Sequence, residues 1–292
     1  MREVRVDRGV STKRKSWNKR NLTQFGSVYF FLFFLASFTI IPFLWTVSIS
    51  FKASSDPIFS MPPQLLPENA TWSNYLEVWS VVPIPTYIMN SLILTFFGVL
   101  LPLITSSAAA FPLARMRFKG RHFLFILILA TMMIPNEVTM IPVYLVINAL
   151  GMMDSFTGVI LPGALTPFGI FLMRQAFVNI PREIEESAII DGANVWQIFW
   201  RILLPMVKPM LGTLAILSFI GAWNSFLWPL LILQDQSMYP LTVGLYKLQG
   251  TFVTNTRLVA AGAMIALIPV IIVFVALQRS FIDAAISSSV KG

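Results

Sequence analysis

Six stretches of this chain are apolar for about twenty residues or more, and that length alone decides what it can fold into, because ~20 such residues cross a bilayer as an α-helix. They read as spans over Gly26–Ser50, Thr86–Phe111, Phe123–Leu150, Phe156–Phe177, Leu203–Leu233 and Leu258–Gln278. The first lies inside an uncharged run from Asn21 to Phe51, and the sixth carries no charge. Pro162, Gly163, Pro167 and Gly169 interrupt the fourth. Membranes tolerate such breakers where neighbouring helices or water satisfy the freed backbone groups. Composition agrees, since 56% of the 292 residues are hydrophobic and 12% charged, against about 25% charged in an ordinary soluble domain. The expected fold class is an all-α polytopic membrane protein with six transmembrane helices. A soluble enzyme, a disulfide scaffold and a disordered tail are excluded.

The basic residues orient it. From the N-terminus onward the connections hold eight, one, four, none, four, two and two Lys or Arg, so alternate connections total eighteen against three. Positive charge marks the cytoplasmic side, which places both termini in the cytoplasm. The organisation follows: a basic tail over 1–25, the first span over 26–50, an extracytoplasmic loop over 51–85, a core over 86–280 and a tail over 281–292. The charges are spread over four cytoplasmic segments as topology signals with some attraction to anionic lipid, so the net charge of +8 does not point to nucleic acid. In the outer loop Trp72, Tyr75 and Trp79 recur at helical spacing, as an interfacial aromatic helix or as a rim for an external partner.

Catalytic chemistry is scarce. There is no cysteine and one histidine, His122, beside Arg115, Arg117, Lys119 and Arg121 in a cytoplasmic loop. Thiolate or paired-histidine metal sites are therefore excluded. No G-x-x-x-x-G-K-[ST] is present to cradle a nucleotide. Intramembrane polar groups become the candidates for a translocation path. Glu137 is the one carboxylate well inside a span; Asn90, Asn148, Trp223 and Asn224 are weaker candidates, suited to sugar hydroxyls and rings and equally to bonds between helices. An ion-coupled secondary transporter or channel is the alternative class, but it usually needs several buried ionisable residues and paired broken helices.

The most informative stretch is cytoplasmic, NIPREIEESAIIDGANVWQIFWRILLPMVKP over 179–209. Pro181 suits a first helical turn, where Glu183, Glu185 and Glu186 favour the helix dipole. Asp191-Gly192 ends that helix, and Asn194 caps a second one on which Trp196, Phe199, Trp200 and Leu203 fall on one face. Pro205 and Pro209 lead back into the membrane. Such a knob either docks a soluble partner helix-in-groove or lies on the inner membrane surface.

The stretch resembles the EAA loop of the permease subunits of binding-protein-dependent ABC importers. Glu186-Ser187-Ala188, three residues, Gly192, nine residues, Ile202, one residue and Leu204-Pro205 match its spacing throughout, with Ser187 in place of the first alanine. Tyr87–Leu92 (YIMNSL), Ile134–Tyr144 (IPNEVTMIPVY), Asp191–Leu204 (DGANVWQIFWRILL), Ala222–Leu230 (AWNSFLWPL) and the final Val290-Lys291-Gly292 extend the resemblance to the carbohydrate branch, in particular to the six-span partner subunit of maltose-type systems. The resemblance implies a type I importer permease in a bacterial or archaeal cytoplasmic membrane. It pairs with a second homologous permease, two ATPase subunits and an extracytoplasmic solute-binding protein, and carries a sugar. ATP and Mg would be held by the ATPases and no cofactor by this chain, which is then no enzyme. The coupling loop at 179–205 would meet the ATPase through Glu185, Glu186, Ser187, Ala188, Asp191, Gly192 and Ala193. Trp196, Phe199, Trp200 and Pro205 would anchor it to the fifth span.

Overall fold

The structure, a computed structural model, describes residues 19–60, 62, 64–249 and 255–289, with side chains described between 28 and 276. The tail over 1–18 and the closing Val290–Gly292 lie outside the described residues. The helices are α1 (Lys19–Phe51), α2 (Ser73–Val81), α3 (Ile84–Arg115), α4 (Arg121–Thr131), α5 (Asn136–Ala149), α6 (Phe156–Gly163), α7 (Pro167–Val178), α8 (Glu183–Ile190), α9 (Val195–Met206), α10 (Lys208–Trp223), α11 (Leu227–Ile232), α12 (Leu241–Tyr246) and α13 (Thr256–Ser289). Three of them, α1, α3 and α13, are long and apolar enough to cross a membrane unaided, and three bent pairs bring the number to six.

The bends revise the simple spans. The third expected span is α4 and α5 meeting at 100°, the fourth is α6 and α7 at 44°, and the fifth starts only at Lys208, after a 76° turn from α9. Each break has a local cause. Pro135 precedes α5 and offers no N–H to α4. Thr166 caps α7 through the Gly169 N–H, with Pro167 at its first position. The fifth span breaks again after Trp223, and α11 follows. At the C-terminal end α13 continues helically to Ser289, where a separate tail had been expected from 281.

α3 is the centre. It packs against α7 and α10; α10 packs against α13, and α13 against α1 and α2. Lipid tails are as apolar as leucine, so close approach rather than hydrophobicity holds membrane helices together. Small residues supply it: a Cβ on Gly98 of α3 would lie 2.8 Å from the Ala222 Cβ of α10, and one on Gly169 of α7 would strike Ser106 of α3. Two apolar clusters result. The cytoplasmic one joins Ala110, Leu113 and Ala114 of α3 to Ile170, Met173 and Phe177 of α7, and to Ala188, Ile198, Phe199 and Leu203 of α8 and α9. The outer one joins Val78, Ile84, Tyr87, Trp223, Leu241, Leu258 and Ala261.

Above the outer cluster the 52–70 loop is tied down by polar contacts. Lys52, fully buried, donates to the Pro57 carbonyl (2.9 Å) and lies 5.2 Å from the Trp45 ring centroid. Asp56, buried, accepts from the Asn69 backbone and side chain, both at 2.9 Å, and these bonds hold its carboxyl below the usual carboxylate range. Arg257, at the start of α13, donates to the Ser54 and Asp56 carbonyls. α2 has its aromatics on more than one face: Val78 and Asn74 are buried, Tyr75 bonds Ser50 (2.8 Å), and Trp72 and Trp79 are exposed.

Candidate functional site

The cytoplasmic excursion between α7 and α10 is built by local rules. Glu183, Glu185 and Glu186 occupy the first turn of α8, beside the positive end of the helix dipole. Pro181 sits just ahead of the cap residue Arg182 rather than inside the helix. At the far end the Ala193 N–H returns to the Ala188 carbonyl (2.9 Å) and the Gly192 N–H to that of Ile189 (3.0 Å), the paired bonds of a Schellman cap. Gly192 takes φ +83°. An L-residue held there costs roughly 1–2 kcal/mol. A Cβ would meet nothing within 4 Å, so conformation and not space demands glycine. Asn194 and Gln197 then form a capping box, each side chain bonding the other's backbone N–H at 2.9 Å.

The next turn departs from expectation. Ile198–Leu203 is wound as a π-helix, and Pro205 beyond it has no N–H for the Arg201 carbonyl. The wider winding rotates successive side chains off a single stripe. Phe199 and Leu203 are buried, whereas Trp196 and Trp200 are 71% and 53% exposed. The anchor is Phe199, whose ring lies 5.0 Å from Phe111 and 6.1 Å from Phe177. Trp200 sets its ring edge-on to Phe199 at 5.0 Å, and Trp196 stands on the exposed side. Pro205 is half-buried, two residues before the sharp turn at Val207.

α8 has two faces of different character. Ala188 is buried in the cytoplasmic cluster, and Ile184 packs against it. Glu185 also turns inward, its Oε1 lying 2.8 Å from Nε of Arg115, with the two side chains 18% and 4% exposed. Taking one partner from a buried pair costs about 3–5 kcal/mol, because the other charge is left uncompensated. Glu186, Ser187, Asp191 and Gly192 face outward with Ile189 and Ile190, the last 86% exposed. Seven residues assigned to one contact surface therefore divide, Glu185 and Ala188 belonging to the interior and Ala193 half-buried.

The path candidates divide too. Asn90 is buried and donates to the Ser237 (2.8 Å) and Tyr239 (3.0 Å) carbonyls, closing the outer loop on α3. Trp223 is buried, donates to the Ala266 carbonyl (3.1 Å) and stacks on Phe219. Both are engaged in internal packing and line no open surface. Glu137, in the first turn of α5, Asn148 near its end and Asn224 at the α10 break are exposed, and Asn224 donates back to the Ile220 carbonyl (3.0 Å).

Residues 98–286 match the family of binding-protein-dependent transport system inner membrane components. The chain belongs to that family. An arabinooligosaccharide transport permease, AraQ, of Halalkalibacterium halodurans is 33% identical over 89% of this chain and 94% of its own. The sn-glycerol-3-phosphate transport permease UgpE of Yersinia pestis is 33% identical over 84% and 91%. Among solved structures, a chain of a bacterial ABC transporter involved in import of the acidic polysaccharide alginate superposes with a TM-score of 0.76 at 30% identity, covering 90% of this chain and 98% of that one. A chain of the MetNI methionine ABC transporter, at 16% identity and a TM-score of 0.56, shares the fold. The bundle with its α8–α9 excursion is the type I importer permease fold.

Sequence reasoning missed the partners of this family member's excursion. Arg115 counted only as one more topology-setting cation. Its Nη2 donates to the Ile180 carbonyl (2.6 Å) while its Nε meets Glu185. Arg174 likewise donates to the Leu113 carbonyl (3.2 Å) and covers the Phe125 ring at 3.9 Å. A signal existed: Arg115 follows the unbroken apolar run of α3 directly, within reach of the acidic first turn of α8.

Proposed function

We propose that the chain is one permease subunit of an ATP-driven importer of a sugar, an oligosaccharide or a sugar-like phosphate ester, and that it receives its power stroke through α8. The observation that carries this is the outward face of α8 and α9. Ile189, Ile190, Val195 and Trp196 are large, apolar and exposed on the cytoplasmic excursion, while the residues behind them are locked into the core. An apolar ridge on a preformed turn fits a groove in a soluble partner. A charged ridge would suit water.

In this reading Glu186, Ser187, Asp191 and Gly192 contact an ATPase subunit that holds the ATP and Mg, and this chain performs no chemistry. A second homologous permease completes the pathway, and an extracytoplasmic binding protein delivers the solute; a bacterial alginate ABC transporter of the same fold has been solved in complex with an alginate pentasaccharide-bound periplasmic protein. Glu137, Asn148 and Asn224 remain the polar groups offered to the pathway. The membrane is the bacterial cytoplasmic membrane. The names of the relatives support a carbohydrate or glycerol-phosphate substrate.

The test is gentle purification of the tagged chain from its native membrane, with identification of co-purifying chains and an ATP-hydrolysis assay. An ATPase and a second permease should accompany it, and the binding protein that stimulates hydrolysis should reveal the solute. A chain that purifies alone, with no ATPase activity, would overturn the proposal in favour of an ion-coupled transporter.

A further inference from the structure

Besides the short link back to α7 and the apolar contact of Phe199 with Phe111, two routes lead from α8 into the membrane, and they differ in construction. One runs forward along the chain through α9 to α10. It passes the π-wound Ile198–Leu203, then Val207 at φ −96° and ψ 15°, where the axis turns by 76°. Pro205 and Pro209 flank that turn, and neither has an N–H to carry the hydrogen-bond ladder across it. The other route leaves the chain sideways, through the side chain of Glu185 to Arg115 at the last turn of α3. Arg115 is held a second time by the Ile180 carbonyl, at 2.6 Å, on the segment that leads from α7 into α8. This is the only ion pair among the described residues. Around it Ala188 packs in one cluster with Leu113 and Ala114. Apolar contacts of that kind permit sliding, whereas a buried charge pair fixes register.

We infer that Arg115 and Glu185 are positioning residues that lock α8 to the cytoplasmic end of α3, so that the two move as one body and the stroke reaches the membrane through α3 while Val207 flexes. This rests on the proposed coupling role of α8. It also gives adjacent carboxylates separate tasks, Glu185 gripping α3 and Glu186 facing the partner. α3 is the helix against which α7 and α10 both pack, so a displacement of its end is shared by the core.

The experiment uses the assembled transporter in proteoliposomes and reads solute taken up per ATP hydrolysed. The natural chain has no cysteine, which allows an Arg115→Cys, Glu185→Cys double variant to be bridged by a short bis-thiosulfonate reagent. Removing both charges together avoids stranding one of them in the interior, so this variant should insert at a higher level than Arg115→Gln or Glu185→Gln alone. Unbridged, it should keep its ATPase partner and hydrolyse ATP while uptake per ATP falls at least roughly tenfold. Bridged, it should regain most of the wild-type ratio, a recovery that no purely structural role predicts. A ratio unchanged in the unbridged variant, or a bridge that leaves uptake abolished, overturns the inference. Loss of the ATPase from the unbridged variant also overturns it, because Glu185 would then be a partner contact. If the wild-type chain brings down no ATPase, the functional proposal itself has failed and this inference falls with it.

Discussion

The cytoplasmic excursion and the outer loop are both irregular segments that carry no span, and they are held in opposite ways. The excursion is specified by near neighbours: an acidic first turn, a Schellman cap at Gly192 and a capping box between Asn194 and Gln197. Every one of those bonds joins residues at most five apart, and the distant tie is Arg115 of α3, which reaches the Ile180 carbonyl and Glu185. The outer loop also has short-range bonds, from Lys52 to the Pro57 carbonyl and from the Asp56 N–H to that of Ala53, but they do not close it. Its shape depends on Asp56 reaching Asn69, Asn74 reaching the Ser50 and Lys52 carbonyls, and Arg257 reaching back to Ser54 and Asp56 across about two hundred residues. A segment whose turns must hold one shape is written locally. One that need only stay folded over a rim can be clamped from a distance.

Substitutions can break that contrast. The largest effect should come from Gly192→Val. It forces a β-branched residue to φ +83°, costs roughly 1–2 kcal/mol locally and turns the outward face of α8. Uptake should fall to background while membrane insertion, followed by quantitative blotting, stays at the wild-type level; a matching fall in insertion would mean the glycine serves folding instead. Arg257→Ala should act next. It strips the Ser54 and Asp56 carbonyls of a donor, about 1–3 kcal/mol for groups left unsatisfied. The 53–69 loop should become sensitive to protease added outside, with uptake reduced far less than by Gly192→Val.

Asn194→Ala tests the local code at its mildest. Loss of the cap costs about 1 kcal/mol and should lower the thermal midpoint slightly without uncoupling transport; an effect as large as that of Gly192→Val would show that the two caps act as one unit. The smallest effect is one of pH. Asp56 is held below the usual carboxylate range by its bonds to Asn69. Its contribution is therefore complete above its unfolded value and is lost only as pH falls through the depressed folded one. Protease resistance of the outer loop should hold in mildly acidic medium and decline only under strong acid, and Asp56→Asn should flatten that decline. Resistance already lost in mild acid would contradict the assignment.

The same contrast explains what could be read from the residues alone. Six spans, the turn at Gly192 and the cap at Asn194 follow from runs and spacings that any short window contains, and all appear in the structure. A 3.6-residue period puts Trp200 on the stripe of Phe199 and Leu203, and the π-wound Ile198–Leu203 leaves it half-exposed with its ring against Phe199. Asn90 and Trp223 have the chemistry of a sugar site, yet their donors are taken by the Ser237, Tyr239 and Ala266 carbonyls. Sequence supplies the donor types and not the distant acceptors that claim them. Glu185 beside Glu186 is the sharpest case: two identical carboxylates on one turn, one against Arg115 and the other exposed, separated by the 100° between successive helical positions.

The first helix is joined to the rest chiefly by its outer end. Phe30, Phe33, Phe34 and Phe38 are exposed, and burial begins only near Trp45, where the helix approaches α13. Within this chain, most of the described side chains of α1 therefore have no mate. What this chain asks of that stretch is polarity and not shape, so its exposed apolar face is left for whatever surrounds the subunit, lipid or the second permease of the proposed assembly.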